Sequence, residues 1–107
     1  MNYKNVICEL VMTTYDEGPS LSGFVSKVIK RIKSQNKVKY QLTPMGTILE
    51  GNWKDVYNLV DDLFNTFSNS YNRIVLTFKV DYKNNRKNRM YEKVKSVEEK
   101  VRYFQDE

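Results

Sequence analysis

Residues 40–51 form the pattern that most restricts what this chain can fold into. Apolar and polar side chains alternate on both sides of Pro44 and Gly46, which is typical of two strands joined by a tight turn. Proline restricts φ to about −65° at the start of a turn, and Gly46 can adopt a positive φ. The predicted hairpin also carries polar side chains that a core does not need, namely Gln41, Thr43, Thr47 and Glu50.

Strand and helix patterns alternate along the rest of the chain. β-branched and aromatic residues predict strands over residues 6–14 and 73–81. Apolar residues spaced three and four apart predict three amphipathic helices. The first begins at a cap on Ser20 or Ser22 and ends at about residue 35. The second follows a cap on Asn52 and covers residues 53–67, and the third covers residues 90–104.

The order β-α-β-β-α-β of the first six elements predicts an α+β fold, the ferredoxin-like sandwich. In this fold two helices cover one face of a four-stranded antiparallel sheet. The C-terminal helix is an addition, which packs either on its own core or on a neighbouring molecule. The chain has 107 residues and shows no repeat or linker, so we expect one domain over residues 1–107.

The period of two along each strand separates a helix-covered face from an open face. We expect the covered face to carry Val6, Leu10, Met12, Tyr40, Leu42, Leu76, Phe78 and Val80. We expect the open face to carry Ile7, Glu9, Val11, Thr13, Gln41, Thr43, Ile48, Glu50, Val75, Thr77 and Lys79. The apolar side chains on the open face predict that it contacts another subunit. Its charges then need partners: Glu9 or Glu50 can pair with Lys79, or a ligand can satisfy them.

Composition excludes several classes of catalytic site. The chain has no histidine, so a histidine-based triad, metal site or proton relay is impossible. Its one cysteine, Cys8, lies in an apolar run and is expected to be buried. No cluster of acidic residues and cysteine has the spacing of a metal site. The carboxylates Glu9 and Glu50 are interpreted as structural rather than as an acid–base pair.

Charge and hydropathy restrict partners and location less strongly. The net charge of +5 permits nucleic acid, an anionic surface or simple solubility. RNA-binding domains of this fold place aromatic rings on the open face, whereas Tyr40 and Phe78 are predicted on the covered face, so we expect no nucleic acid partner. The basic segment 83–89 either contacts phosphate or is a solvated loop. Neither a signal peptide nor a membrane span is evident, so a cytoplasmic protein is expected.

Five stretches of the chain resemble the small thiamine-binding, YkoF-like proteins, formerly a domain of unknown function. They are the first strand, Gly18-Pro-Ser-Leu-Ser22, residues 40–51, residues 73–81 and residues 90–100. The segment Leu-Thr-Pro-Met-Gly-Thr, residues 42–47, is the most specific of them. The loop after Asp81 departs from the family, because it is richer in asparagine.

The resemblance implies a ferredoxin-like protein that forms a homodimer or homotetramer through its sheet faces. It also implies binding of thiamine or its hydroxymethylpyrimidine moiety without catalysis, as a carrier, buffer or sensor. Candidate ligand-binding residues are Glu9, Gln41, Thr43, Met45, Thr47 and Glu50. The carboxylates suit the pyrimidine amine or the thiazolium cation. The alternative is a structural or regulatory oligomerisation module without a small-molecule ligand. No cofactor and no metal are expected.

Overall fold

The computed structural model describes residues 3–18 and 21–105, with the side chains of residues 104 and 105 excepted. Seven elements follow one another in the predicted order. They are β1 (Asn5–Thr14), α1 (Ser22–Lys33), β2 (Lys39–Thr43), β3 (Gly46–Asn52), α2 (Trp53–Ser68), β4 (Ile74–Tyr82) and α3 (Arg89–Gln105). The strands form one antiparallel sheet in the order β2-β3-β1-β4. The predicted α+β, ferredoxin-like arrangement with an added C-terminal helix is therefore confirmed.

The core lies between one face of the sheet and the helices α1 and α2. Leu49 of β3 is fully buried there, with Cys8 and Tyr40 opposite it on the neighbouring strands. Phe24 of α1 contacts Phe67 of α2 edge to face, with ring centroids 5.5 Å apart. The cross-strand register agrees with the predicted division of the residues between the two faces. Leu42 and Val80 also follow it, although they remain exposed near the sheet edges.

The helix caps differ from their predicted form. The N-cap of α1 is Leu21, and Ser22 is already the first helical residue; Ser20 lies outside the described residues. Asn52 is the N-cap residue of α2, but its side chain does not cap the helix. Its Oδ1 instead accepts a hydrogen bond from the backbone N–H of Lys4, 3.1 Å away. Asn52 therefore links the N-terminal segment to α2. The backbone N–H of Lys4 uses the side-chain oxygen that would otherwise accept a hydrogen bond from the first turn of the helix.

The glycine of the hairpin is needed for space rather than for a positive φ. Among the described glycines only Gly18 has a positive φ, so the expectation for Gly46 is wrong. A Cβ added at Gly46 would lie 3.0 Å from Val11 Cγ2 and 3.1 Å from the carbonyl oxygen of Leu10. The turn therefore packs directly against β1, and a side chain at this position would push the two apart.

Most of α3 is exposed to solvent. Residues 91–103 are exposed, including Val94, Val97 and Val101 on the apolar side of the helix. Asn85 and Asn88, in the loop that leads to α3, have positive φ angles, a conformation that asparagine adopts more readily than most residues. This backbone requirement explains part of the loop's asparagine content. No helix within the described residues is long and apolar enough to span a membrane.

Candidate functional site

Four side chains form a row across the middle of the open face. Antiparallel pairing places Gln41 of β2 opposite Ile48 of β3, Ile48 opposite Glu9 of β1, and Glu9 opposite Lys79 of β4. Residues paired in this way project to the same side of a sheet. A carboxylate, an amide and an ammonium group therefore lie in line, with an isoleucine between the amide and the carboxylate.

Glu50 lies one row nearer to α3 and is buried, with only 2% of its surface exposed. Its carboxylate accepts hydrogen bonds from the backbone N–H groups of Arg89 at 2.6 Å and Met90 at 3.2 Å. It also accepts one from Asn5 Nδ2 at 2.7 Å. The first N–H groups of a helix have no partner within the helix, and a carboxylate is a favourable acceptor for them. Glu50 therefore anchors the start of α3 on the open face.

A second anchor joins the start of α3 to β4. The Arg89 guanidinium donates to the Asp81 carboxylate at 2.7 Å and to the Asp81 carbonyl at 3.0 Å. Lys93, one helical turn later, donates to the same carboxylate at 3.2 Å. The hydrogen bonds from Arg89 and then Lys93 lower the pKa of the Asp81 carboxyl group. These contacts hold α3 over the sheet from the edge strand β4, whereas Glu50 holds it from the inner strand β3.

The two anchors leave a cavity of about 660 Å³ between α3 and the open face. Its floor includes Ile7 and Ile48, and Met90 and Val94 of α3 line its helical wall. The polar residues that line it are Glu9, Gln41, Thr43, Lys79, Asp81, Arg89 and Lys93. Apolar walls with a few polar groups are usual for small-molecule sites, which typically measure about 300–1,000 Å³.

The polar groups in the middle row are free to bind a ligand. The side chains of Glu9, Gln41 and Lys79 make no hydrogen bond or ion pair with any residue in the described ranges. The expected pairing of Glu9 or Glu50 with Lys79 is therefore absent there. Glu9 and Lys79 face each other without an ion pair, and Glu50 receives its hydrogen bonds from α3 and Asn5. A carboxylate acceptor and two donors thus remain available.

The six predicted ligand-binding residues do not lie together. Glu9, Gln41 and Thr43 line the cavity over the open face, whereas Glu50 anchors α3. Thr43 also closes the hairpin turn, because its Oγ1 donates to the Gly46 carbonyl at 2.8 Å. Met45 is exposed at that turn, and Thr47 projects to the covered face. Met45 and Thr47 line a separate apolar cavity beside α1.

Several residues of the cavity were not among the predicted site residues. Asp81 and Lys79 could be found from strand periodicity, because they share the open face with Glu9. Arg89 and Lys93 are spaced one helical turn apart, but the predicted helix began after Arg89. Their position over the sheet depends on the loop between β4 and α3, which no local pattern specifies.

The remaining candidate groups are Cys8 and the acidic side chains. Cys8 is buried on the covered face, and desolvation raises the pKa of its thiol to about 12. A thiol in this state is not a nucleophile at neutral pH. Within residues 3–18 and 21–105, no group of three or more cysteine, aspartate or glutamate side chains could hold a metal ion.

Comparisons with known proteins agree with this architecture. The family model for thiamine-binding proteins matches residues 8–98. A protein of the UPF0045 family from Staphylococcus xylosus is 32% identical over 97 residues, which cover 87% of this chain and 91% of that protein. The UPF0045 protein YqgV of Bacillus subtilis is 29% identical over 85 residues, covering 76% of this chain and 82% of that one.

Solved structures show the same fold. Protein MJ1052 of Methanocaldococcus jannaschii superposes with a TM-score of 0.79 at 27% identity, over 89% of this chain and 97% of that one. A Thermotoga maritima protein, TM0486, assigned provisionally to thiamine biosynthesis or salvage, gives a TM-score of 0.75 at 24% identity. That match covers 87% of this chain and 98% of the other. The resemblance seen in the sequence is confirmed: this chain belongs to the family of thiamine-binding proteins.

Proposed function

We propose that this protein binds thiamine or its hydroxymethylpyrimidine moiety in the cavity between α3 and the open face, without catalysis. It would act as a carrier, buffer or sensor. The observation that carries the proposal is the Glu9 carboxylate, which has no partner among the described residues and lies beside an apolar floor in a cavity of about 660 Å³. Membership of the thiamine-binding family supports the choice of ligand.

The chemistry of the middle row suits an aminopyrimidine. The exocyclic amine would donate to the Glu9 carboxylate, and a ring nitrogen would accept from Gln41 Nε2. Ile48 lies between these two side chains in the sheet, so a flat ring spanning them would pack on its apolar surface. In thiamine, the thiazolium cation would gain further from the same carboxylate.

We assign different roles to the candidate residues. Glu9, Gln41 and Thr43 would contact the ligand, because they line the cavity. Glu50 would act as a positioning residue through the start of α3. Met45 and Thr47 lie beside a different cavity, so their substitution should affect ligand binding less than substitution of Glu9.

Calorimetry and thermal shift with thiamine and hydroxymethylpyrimidine test the proposal. We expect binding of at least one ligand, and a Glu9→Gln variant that binds about tenfold more weakly, the loss expected for one hydrogen bond to a charged group. Asp61→Asn on α2 is the matched control and should leave the affinity unchanged. Absence of heat and of a thermal shift with both ligands would overturn the proposal.

Self-association is a second candidate role, favoured by the apolar side of α3. Val94, Val97 and Val101 are each about half exposed or more on one side of that helix. Val75 on the open face is also exposed. We propose that these surfaces meet a second copy of the chain, giving a homodimer or homotetramer through the sheet faces. Such contact would close the ligand cavity at a subunit boundary.

Sedimentation velocity of wild-type protein and two variants tests this second role. Val97→Asp should shift the protein toward monomer, because it places a charge in the apolar surface. Ser96→Asp introduces the same charge on the opposite side of α3, where the helix is also exposed, and should leave the assembly unchanged. A monomeric wild type would exclude self-association. Assembly combined with no binding of either ligand would instead favour the oligomerisation module.

A further inference from the structure

A second, larger cavity lies beside the first, between α3 and the loop that follows β4. It measures about 890 Å³. Its charged lining residues are the basic side chains Lys83, Arg86, Lys87, Arg89, Lys93 and Lys95 and the acidic side chains Glu92 and Glu99. We call it the basic-loop cavity. Six cations against two carboxylates give it a positive potential, which favours an anionic ligand.

Most of this positive charge is not neutralised by the residues that the structure describes. Lys83 and Arg86 make no hydrogen bond or ion pair with residues 3–18 or 21–105. Lys87 lies over the ring of Tyr3 at 4.7 Å, a contact that leaves its charge uncompensated. Arg89 and Lys93, in contrast, share the carboxylate of Asp81. An anion in the cavity would therefore meet free cationic groups on the loop.

The basic-loop cavity adjoins the cavity over the open face. Arg89 and Lys93 line both. A ligand held beside Glu9 can thus extend past these two side chains toward the loop. The lining residues of the two cavities together comprise seven cationic and four acidic side chains, a net charge of +3. This field opposes a ligand that carries only a thiazolium cation and favours one that also carries phosphate.

We propose that the preferred ligand is a phosphate ester, a monophosphate or diphosphate of the pyrimidine-bearing ligand. Its phosphate would bind in the basic-loop cavity against Lys83, Arg86 and Lys87. This inference rests on the proposed function, because it requires the pyrimidine to bind beside Glu9. It gives the basic segment a role in ligand choice, whereas Glu9 and Gln41 recognise the ring common to all forms.

Calorimetry at low and at moderate salt would compare thiamine, thiamine monophosphate, thiamine diphosphate and inorganic pyrophosphate. We expect wild-type protein to bind the phosphate esters about tenfold or more tightly than thiamine, because charge-assisted hydrogen bonds to phosphate are strong. The difference should shrink as salt rises, since the loop cations are exposed. Inorganic pyrophosphate should bind much more weakly than the diphosphate ester.

A triple variant with Lys83→Gln, Arg86→Gln and Lys87→Gln tests the contribution of the loop cations to ligand binding. It should bind the esters and thiamine within about twofold of each other. Its affinity for thiamine should equal or exceed that of wild type, because the positive field that opposes the thiazolium cation is removed. The matched control removes three exposed lysines from the helices, with Lys30→Gln, Lys33→Gln and Lys54→Gln. That control should keep the preference for the esters, because these positions line neither cavity.

Three results would overturn the inference alone: equal wild-type affinity for thiamine and its esters, equal loss of preference in both triple variants, or pyrophosphate binding as tight as the diphosphate ester. Wherever thiamine itself still binds in these cases, the proposed function stands. If no form of the ligand binds wild-type protein, the proposed function itself fails and the inference fails with it.

Discussion

The two faces of the sheet differ in how far their side chains are satisfied by contacts within the protein. On the covered face, Leu49 is completely buried and contributes to the core between the sheet and two helices. On the open face, Ile48, the residue before Leu49 in β3, lines a cavity, and the carboxylate of Glu9 beside it has no partner among the described residues. Side chains of the covered face pack against the helices of the same chain, whereas polar side chains of the open face are available to an external partner. Stability and binding should therefore respond to substitution on different faces.

The largest expected effect comes from truncating neighbouring residues that point to opposite faces. Leu49→Ala should lower the free energy of unfolding by about 3 kcal/mol, because it leaves a cavity in a closed core. Ile48→Ala should lower it by about 1 kcal/mol, since this side chain is only partly buried. Urea unfolding measures both values. Equal losses would show that the open face is as tightly packed as the core.

The anchor of α3 should give the next largest effect. Glu50→Ala removes the acceptor of three hydrogen bonds from Asn5, Arg89 and Met90, which should weaken the attachment of α3 by about 2 kcal/mol. Hydrogen exchange of the α3 amides should become faster, while exchange in α1 and α2 changes little. Glu98→Ala, at an exposed position of α3, is the control. Unchanged exchange at Arg89 and Met90 would contradict the anchoring role of Glu50.

Two glycines on opposite sides of the sheet should respond with opposite signs. Gly46→Ala should destabilise the protein by about 1 kcal/mol, because the new Cβ would press on the Leu10 carbonyl and on Val11. Gly23→Ala in α1 should stabilise it by about 0.5–1 kcal/mol, since alanine favours the helix and its Cβ would meet only the end of the Glu17 side chain. Thermal unfolding tests both signs.

The smallest effects should come from one ion pair on each side of the sheet. Arg31 on α1 holds Asp62 on α2 through two hydrogen bonds, at 2.7 Å and 2.9 Å, and its hydrogen bond lowers the pKa of the Asp62 carboxyl. Both side chains are half exposed, so Asp62→Asn should lower stability by less than about 1 kcal/mol. Asp81→Asn should instead loosen α3, which hydrogen exchange detects.

The stabilisation that these two ion pairs contribute changes with pH in the same direction. Because the folded pKa of each aspartate is lowered, its stabilisation is complete above the ordinary pKa of about 3.9 and is lost as pH falls through the folded value. Acidification below about pH 4 should therefore release α3 through Asp81 and weaken the α1–α2 contact through Asp62. Amide exchange that is independent of pH in this range, after correction for intrinsic rates, would contradict both assignments.

Local patterns were sufficient to predict the elements and the covered face. The alternation in residues 40–51 predicted β2, the turn and β3, and the strand period placed Glu9, Gln41 and Lys79 on one side of the sheet. Asn52 was predicted as a side-chain cap and instead binds Lys4, because a residue far away in the sequence supplies the donor. Patterns in the sequence contain information about neighbours along the chain but not about such long-range partners.

Glu50 shows most clearly why the site was predicted only in part. Its sequence position could not distinguish a ligand contact from an anchor, since both roles require a carboxylate on the open face. The choice depended on where the loop between β4 and α3 placed the N–H groups of Arg89 and Met90. Met45 and Thr47 belong to the same hairpin as Gln41, yet they line a different cavity, because one lies at the turn and the other on the covered face; Thr43, at the end of β2, borders both cavities.

The order of the elements, the two faces of the sheet and the absence of histidine chemistry follow from periodicity and composition alone. Periodicity and composition are local properties, and they need no tertiary contact to be read. The placement of α3 over the open face, its attachment through Glu50 and Asp81, and the position of Glu9 beside a cavity, without a partner in the described ranges, became known only from the folded chain. These features depend on hydrogen bonds between residues distant in sequence, and such hydrogen bonds form only when the chain has folded.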